Sequence, residues 1–288
     1  MIRQRKFWSR ILKITVLLGF ALYLYYRIDL WEFRGVINET SEYLDEAPFI
    51  LSLVIVILLM PVNWILEAMK WRSLLRDRQN VSLLDSIKSI LTGLTVGILT
   101  PFRLGEYVGR LRGLSQDQRP SGLWSTFISS VSQWSASFII GVLALIILYD
   151  DIDTSAYLMI FMIIAAICTT ILVYYAEEFL RILPFKMLNS LKSSIINVKD
   201  KGVYTRIIIF SAFRFLTFAA QYAFIVSALQ NLFPNLVELS RSSLMFLLQR
   251  FIPLPGFLGI PVRSEISVWI WNNPGVNIEF FTISSTIL

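Results

Sequence analysis

The stretch ILTGLTVGILTPFRLGEYVGRLRGL, from Ile90 to Leu114, is apolar enough for a bilayer yet too short and too interrupted to cross one. A spanning helix needs about 20 apolar residues, whereas the run that opens at Ile90 is stopped by Thr100 and Pro101. Proline lacks a backbone donor and restricts the residue before it, so the chain has to turn back there. Gly93 and Gly97 share one face of the incoming arm, and Gly105, Gly109 and Gly113 recur every fourth residue on the outgoing one. That spacing lets backbones approach closely within lipid. Irregular backbone at membrane depth survives only where protein covers it or a wet cavity faces it. A Pro/Gly break followed at once by Arg103 and Glu106 therefore predicts a re-entrant hairpin over about 90–114 that lines a polar site.

Composition agrees with a membrane setting. The 288 residues are 56% hydrophobic and only 16% charged, where soluble domains average about 25% charged. No polar stretch is long enough to fold separately, so residues 1–288 read as a single transmembrane domain. The absence of histidine removes the commonest general base and metal ligand. With one cysteine no internal disulfide can form, and Cys168, set in an apolar run, reads as buried packing. No cofactor, metal or nucleic-acid motif is present in the sequence.

Loop charges set the sidedness. Arg3, Arg5, Lys6, Arg10 and Lys13 precede or open a first span over 11–26, which has no small-residue cleavage site after it. Basic flanks stay cytoplasmic, which places the N-terminus inside and the acidic loop with Asp29, Glu32, Glu39, Glu42, Asp45 and Glu46 outside. A second span over 49–69 contains Pro61 and leads to Lys70, Arg72, Arg76, Arg78 and Lys88, again inside. Glu67 and Lys70 then fall at the interface. After the hairpin, a span over 124–148 ends at Asp150, Asp151 and Asp153 outside, and one over 157–175 returns to a basic segment. Apolar residues at near-helical spacing from Phe179 to Val198 suggest an amphipathic helix on the inner leaflet, despite Pro184. A further span covers 207–229, and another begins at 280–288 and stops short, which suggests a truncated chain.

A second interrupted segment, about 243–265, repeats the first theme. A short apolar arm is broken by Pro253, Pro255, Gly256, Gly259 and Pro261, with Arg250, Arg263 and Glu265 nearby. Three predicted spans separate the two hairpins, and an odd number puts them on opposite sides of the membrane. Inverted repeats of discontinuous helices that meet near the midplane are a common transporter design. The expected fold is thus an all-α polytopic membrane bundle with two re-entrant hairpins, arranged as an inverted repeat. Inside the spans, Arg214 lies too deep to be a flanking charge, and Gln221 lies two turns further on the same face. Ser129, Ser130, Ser132, Gln133, Ser135 and Ser137 make one side of another span polar, although membrane serines more often bond their own backbone or a neighbouring helix. Glu106 and Arg110 have the spacing of a local i,i+4 pair.

At LTPFRLGEYVGR the chain resembles the membrane region of the lysylphosphatidylglycerol synthase/flippase family, whose pattern of Pro, Arg, Gly-Glu and a second Arg is met by Pro101, Arg103, Gly105, Glu106 and Arg110. Arg110 stands one residue later than in many members. The segment PLPGFLGIPVR is similar to the family's Pro-Gly-Gly-Leu-Gly stretch through Pro255, Gly256, Leu258, Gly259 and Arg263. Phe257 replaces the second glycine, and Ser264 stands where an acidic residue usually follows the arginine. The resemblance implies a flippase-like protein that handles lipid; in fused members a separate soluble domain transfers the aminoacyl group, and no such domain is read in these residues, so synthase activity is not inherited from the family.

These readings combine into one expectation: binding and translocation of an anionic phospholipid or lipid-linked headgroup across the cytoplasmic membrane. The arginine fork matches phosphate oxygens and keeps its charge. Arg103 and Arg214, with Arg250 or Arg263, would clamp the phosphate, with Glu106 and Arg110 beside them and Gln133 and Gln221 as secondary lining. Two rivals stand beside it. One is a membrane transferase acting on a phospholipid or polyprenyl phosphate with Glu106 as base, for which no donor motif is found. The other is a non-transporting scaffold of a lipid-synthesis complex. Expected partners are membrane lipids, a second copy of the chain or a lipid-synthesis enzyme.

Overall fold

The computed structural model describes residues 46–76, 79–98, 100, 104–152, 156–182, 202–230, 232–252, 259–271, 281 and 284–285. Within the unit Ala47–Leu288 they form α1 (Ala47–Leu75), α2 (Leu83–Ile98), α3 (Leu104–Arg110), α4 (Arg119–Ile147), α5 (Ala156–Tyr174), α6 (Ala176–Ile182), α7 (Gly202–Ala228), α8 (Leu236–Gln249) and α9 (Gly259–Trp271). Two 3₁₀ turns, Leu111–Gly113 and Gln116–Gln118, join α3 to α4. No strand occurs among the described residues. The fold is all-helical, as the apolar runs require.

Among the described residues four helices are long and apolar enough to cross a membrane: α1, α4 with the turn before it, α5 and α7. They coincide with the spans expected over 49–69, 124–148, 157–175 and 207–229, with α1, α4 and α7 extended toward their polar ends. The expected first span over 11–26 lies outside the described residues, as do nearly all of the amphipathic segment beyond Ile182 and most of 280–288.

Helix α7 packs along α1, and α4 is flanked by α5, α7 and α8. Aromatic and aliphatic side chains of α4, α7, α8 and α9 close one core around Phe138, Leu145, Phe215, Tyr222, Met245 and Trp271. A smaller core at the other end of α4 joins α1 and α2 through Trp71, Leu75, Ile90 and Leu114. Helix α5 contributes little, with only Met162, Ala166 and Val173 buried. Much of its surface is apolar and faces outward, through Ile160, Phe161, Ile164, Ile167 and Ile171, and Cys168 is exposed as well. The expectation of a buried thiol is therefore corrected: lipid solvates an apolar helix as well as a protein core does, so an apolar run does not imply burial.

Helices α2 and α3 lie side by side through their glycines. A Cβ on Gly109 would stand 2.7 Å from the Gly93 Cα and 2.9 Å from the Thr92 carbonyl oxygen, and one on Gly105 would collide with the Val96 carbonyl. Only hydrogen fits at that contact. The incoming arm starts at Leu83, seven residues before the apolar run, because Ser82 caps it: its Oγ accepts from the Asp85 N–H at 3.1 Å and donates to the Asp85 carboxylate at 2.6 Å. Lys88 is consequently part of the helix rather than of a loop.

The contacts of α4 order both broken segments along it. Near its start, Leu111 and Leu114 press on Gly122, and further on Tyr107 reaches Ser130 at 3.4 Å. Near its end, Arg241 of α8 pairs with Asp151 at 3.2 Å. Leu247 lies against Gly141, and Phe251 meets Trp134 edge to face with ring centres 5.5 Å apart. From Ile147, the last residue of α4, to Trp134 is about 20 Å of helix at 1.5 Å per residue. Helix α3 with the turn after it and helix α8 thus lie against opposite halves of α4.

Candidate functional site

The α1 face that carries Asn63, Glu67 and Lys70 at i, i+4 and i+7 turns inward, and all three side chains are buried, Lys70 to 0% and Glu67 to 3% exposure. This corrects the interfacial placement expected for Glu67 and Lys70. Their carboxylate and ammonium are the centre of a buried polar cluster. One Glu67 oxygen, Oε1, meets Arg110 Nη2 of α3 at 2.8 Å and accepts from the Ser129 hydroxyl of α4 at 3.1 Å. The other, Oε2, stands 3.1 Å from Lys70 Nζ and 3.5 Å from Arg214 Nη1 of α7. Four elements converge on one carboxylate.

Each cation is held a second time. Lys70 donates to the Ser129 carbonyl at 3.3 Å and to Gln133 Oε1 at 3.2 Å. Arg214 donates from Nε to Asn63 Oδ1 at 2.9 Å and from Nη1 to Gln133 Oε1 at 3.3 Å. Gln133 itself donates to the Ser211 carbonyl at 3.1 Å, and Ser132 and Ser211 share a 2.9 Å hydrogen bond. Arg110 pairs with Glu106 one turn back and lies over the Trp71 ring at 5.7 Å. Its Nε and Nη1, like Asn63 Nδ2, are buried without a hydrogen-bond acceptor. A low-dielectric interior tolerates charges only when they are paired, so the cluster is a strong constraint on how α1, α3, α4 and α7 meet.

The expected site residues divide into groups. Glu106, Arg110, Arg214 and Gln133 come together around Glu67. Gln221 lies further along the same seam and donates to the Val56 carbonyl at 3.0 Å, close to where Pro61 interrupts the hydrogen-bond ladder of α1. Arg250 is half-buried over the rings of Trp134 and Phe215, at 5.8 and 5.6 Å, and these two aromatic residues directly follow Gln133 and Arg214 in the sequence. Arg263 lies over Phe246 at 5.6 Å. Gly105 and Gly259 are buried at the starts of α3 and α9, and the Gly259 carbonyl accepts from Gln249 at 3.2 Å. Pro101, Arg103, Pro253, Pro255 and Gly256 lie outside the described residues.

Several serines of α4 behave as membrane serines usually do: Ser130 and Ser137 bond carbonyls one turn back, and Ser135 bonds Thr170 of α5. Ser129 differs, since its hydroxyl donates to Glu67. Glu67, Lys70 and Asn63 are the functional candidates that the sequence reading passed over. The signal was their shared spacing, which puts three polar side chains on one stripe of an otherwise apolar helix. Among the described residues no group of three acidic, cysteine or histidine side chains could hold a metal ion.

A family model described as "Lysylphosphatidylglycerol synthase TM region" matches residues 10–269. No curated protein and no solved structure matches the chain. The match spans α1 to all but the end of α9 and takes in every described member of the buried cluster. A multi-pass membrane protein with membrane-lipid metabolism or transport as its setting, this chain belongs to the lysylphosphatidylglycerol synthase TM region family.

Proposed function

We propose that the chain binds an anionic phospholipid or lipid-linked headgroup inside the bundle and carries it across the cytoplasmic membrane, with its N-terminus on the cytoplasmic side. The observation that carries this reading is the convergence of Lys70, Arg110 and Arg214 from three separate helices on one buried point. Intramembrane charges are costly, and they concentrate where a substrate path needs them. Two guanidinium forks are the best match for a phosphate that must leave water. The headgroup has about 30 Å of hydrocarbon to cross while its tails remain in lipid.

The paired helices supply the path. In this reading α2/α3 and α8/α9 are re-entrant hairpins that open to opposite leaflets in turn, with the cation cluster between them. Arg250, at the inner end of α8, would receive the phosphate from the second side. The reading assigns no bond-breaking step, so the chain acts as a carrier and not as a catalyst. Native mass spectrometry of protein purified gently from its membrane tests it. Anionic lipid should be retained in preference to phosphatidylcholine, and Arg214→Gln should abolish that preference. Equal retention of both lipid types by the wild-type chain would defeat the proposal.

A further inference from the structure

Glu67 occupies a place that suits a different anion. Its carboxylate is met by an ammonium, two guanidinium groups and a hydroxyl, delivered by α1, α3, α7 and α4. A carboxylate has two oxygens and about four lone-pair directions, and here they do not use all that surrounds them. Arg110 Nε and Nη1 and Asn63 Nδ2 have no hydrogen-bond acceptor although they are buried, and Glu67 Oε2 is shared between two cations at 3.1 and 3.5 Å. Buried donors left open are costly and call for an explanation. The cage offers more donors than a flat carboxylate can engage from the side chain of α1.

We infer that Glu67 is a built-in competitor that holds the phosphodiester site of the cluster when no headgroup is present. This rests on the headgroup-binding reading above and names how that site empties. A phosphodiester entering from either hairpin takes Arg110 and Arg214, and also meets the open N–H groups of Arg110. Glu67 retains Lys70, its i,i+3 partner on α1. When the headgroup leaves, the carboxylate returns and the two arginines are never bare in the interior. A carrier that grips phosphate with arginines faces slow release, because tight binding in one state traps the cargo. An internal anion of comparable strength lowers that trap, since cargo and carboxylate compete for the same donors and are negatively coupled.

The test uses the full chain in dodecyl maltoside micelles, titrated with phosphatidylglycerol and, in a second arm, with inorganic phosphate, and read by thermal stabilisation of tryptophan fluorescence. Glu67→Gln removes the competing charge with little change of shape, and should tighten apparent phosphatidylglycerol binding by about 5- to 150-fold, the usual span of such couplings. Glu67→Asp keeps the charge but draws it back toward α1, and should tighten binding by less. It also keeps the test open if the Gln variant folds only with lipid present. Tightening in both arms assigns the effect to phosphate itself, and tightening with phosphatidylglycerol alone assigns it to a headgroup delivered on its tails. Binding by both variants no tighter than wild type, while wild type binds phosphatidylglycerol, overturns the competitor role and leaves the headgroup site standing. No binding of either anion by the wild type removes the headgroup site and the competitor with it.

Discussion

The Glu67 carboxylate on α1 stands 3.5 Å from the Arg214 guanidinium on α7, and the same guanidinium holds Asn63, one helical turn from Glu67, at 2.9 Å. One arginine thus grips two turns of the neighbouring helix. Removing one partner of a buried pair leaves the other uncompensated, at about 3–5 kcal/mol. Arg214→Ala should therefore cost that much stability, read as a large fall in the detergent-solubilised unfolding midpoint. Arg214→Lys keeps the charge but cannot reach Asn63 and Gln133 together, and should cost about 1–3 kcal/mol for the hydrogen bonds it gives up.

Glycine contacts in the first helix pair separate backbone from side-chain crowding. At Gly109 a Cβ would meet the Gly93 backbone at 2.7 Å, whereas at Gly113 it would meet only the Ser89 hydroxyl at 2.8 Å. A hydroxyl rotates away and a backbone does not. Gly109→Ala should destabilise by about 1–3 kcal/mol. Gly113→Ala should stay within about 0.5 kcal/mol of wild type. Thermal unfolding of the two variants side by side is the measurement.

Cys168, the chain's one cysteine, gives a probe of the outward face of α5. In proteoliposomes it should react with a lipid-soluble maleimide and resist a charged, water-soluble one. Rapid labelling by the charged reagent in the intact vesicle would show that this face meets water.

Opposite approach of the two helix pairs has its own signature. In a Cys168→Ser background, Asp151→Cys and Arg112→Cys should be labelled by an impermeant thiol reagent from opposite sides of sealed vesicles. Arg112 is next to the α3 end of the first pair, and Asp151 is paired with Arg241 of the second. The loss of the Asp151 pair should itself cost less than about 1 kcal/mol, because it is an exposed contact.

The positions of four spans were legible in the sequence because a bilayer dictates length and apolarity, and among the described residues α1, α4, α5 and α7 satisfy both. The close approach of α2 and α3 was legible in the Gly93 and Gly109 spacing. Glu67 and Lys70 were hidden for a physical reason. They stand a turn from the basic flank that begins at Arg72, where charged side chains ordinarily reach for the interface, and only the packing of α3, α4 and α7 over that turn buries them. The exposure of Cys168 was equally hidden, since hydropathy is the same for a residue that faces lipid and one that faces a neighbouring helix.

The most direct measurement is translocation of headgroup-labelled phosphatidylglycerol in proteoliposomes, followed by quenching of outer-leaflet label. The account predicts transfer well above protein-free vesicles for the wild-type chain, and a return to the protein-free rate for a folded Arg110→Gln, Arg214→Gln double variant. Transfer by that variant as fast as by the wild type would contradict it.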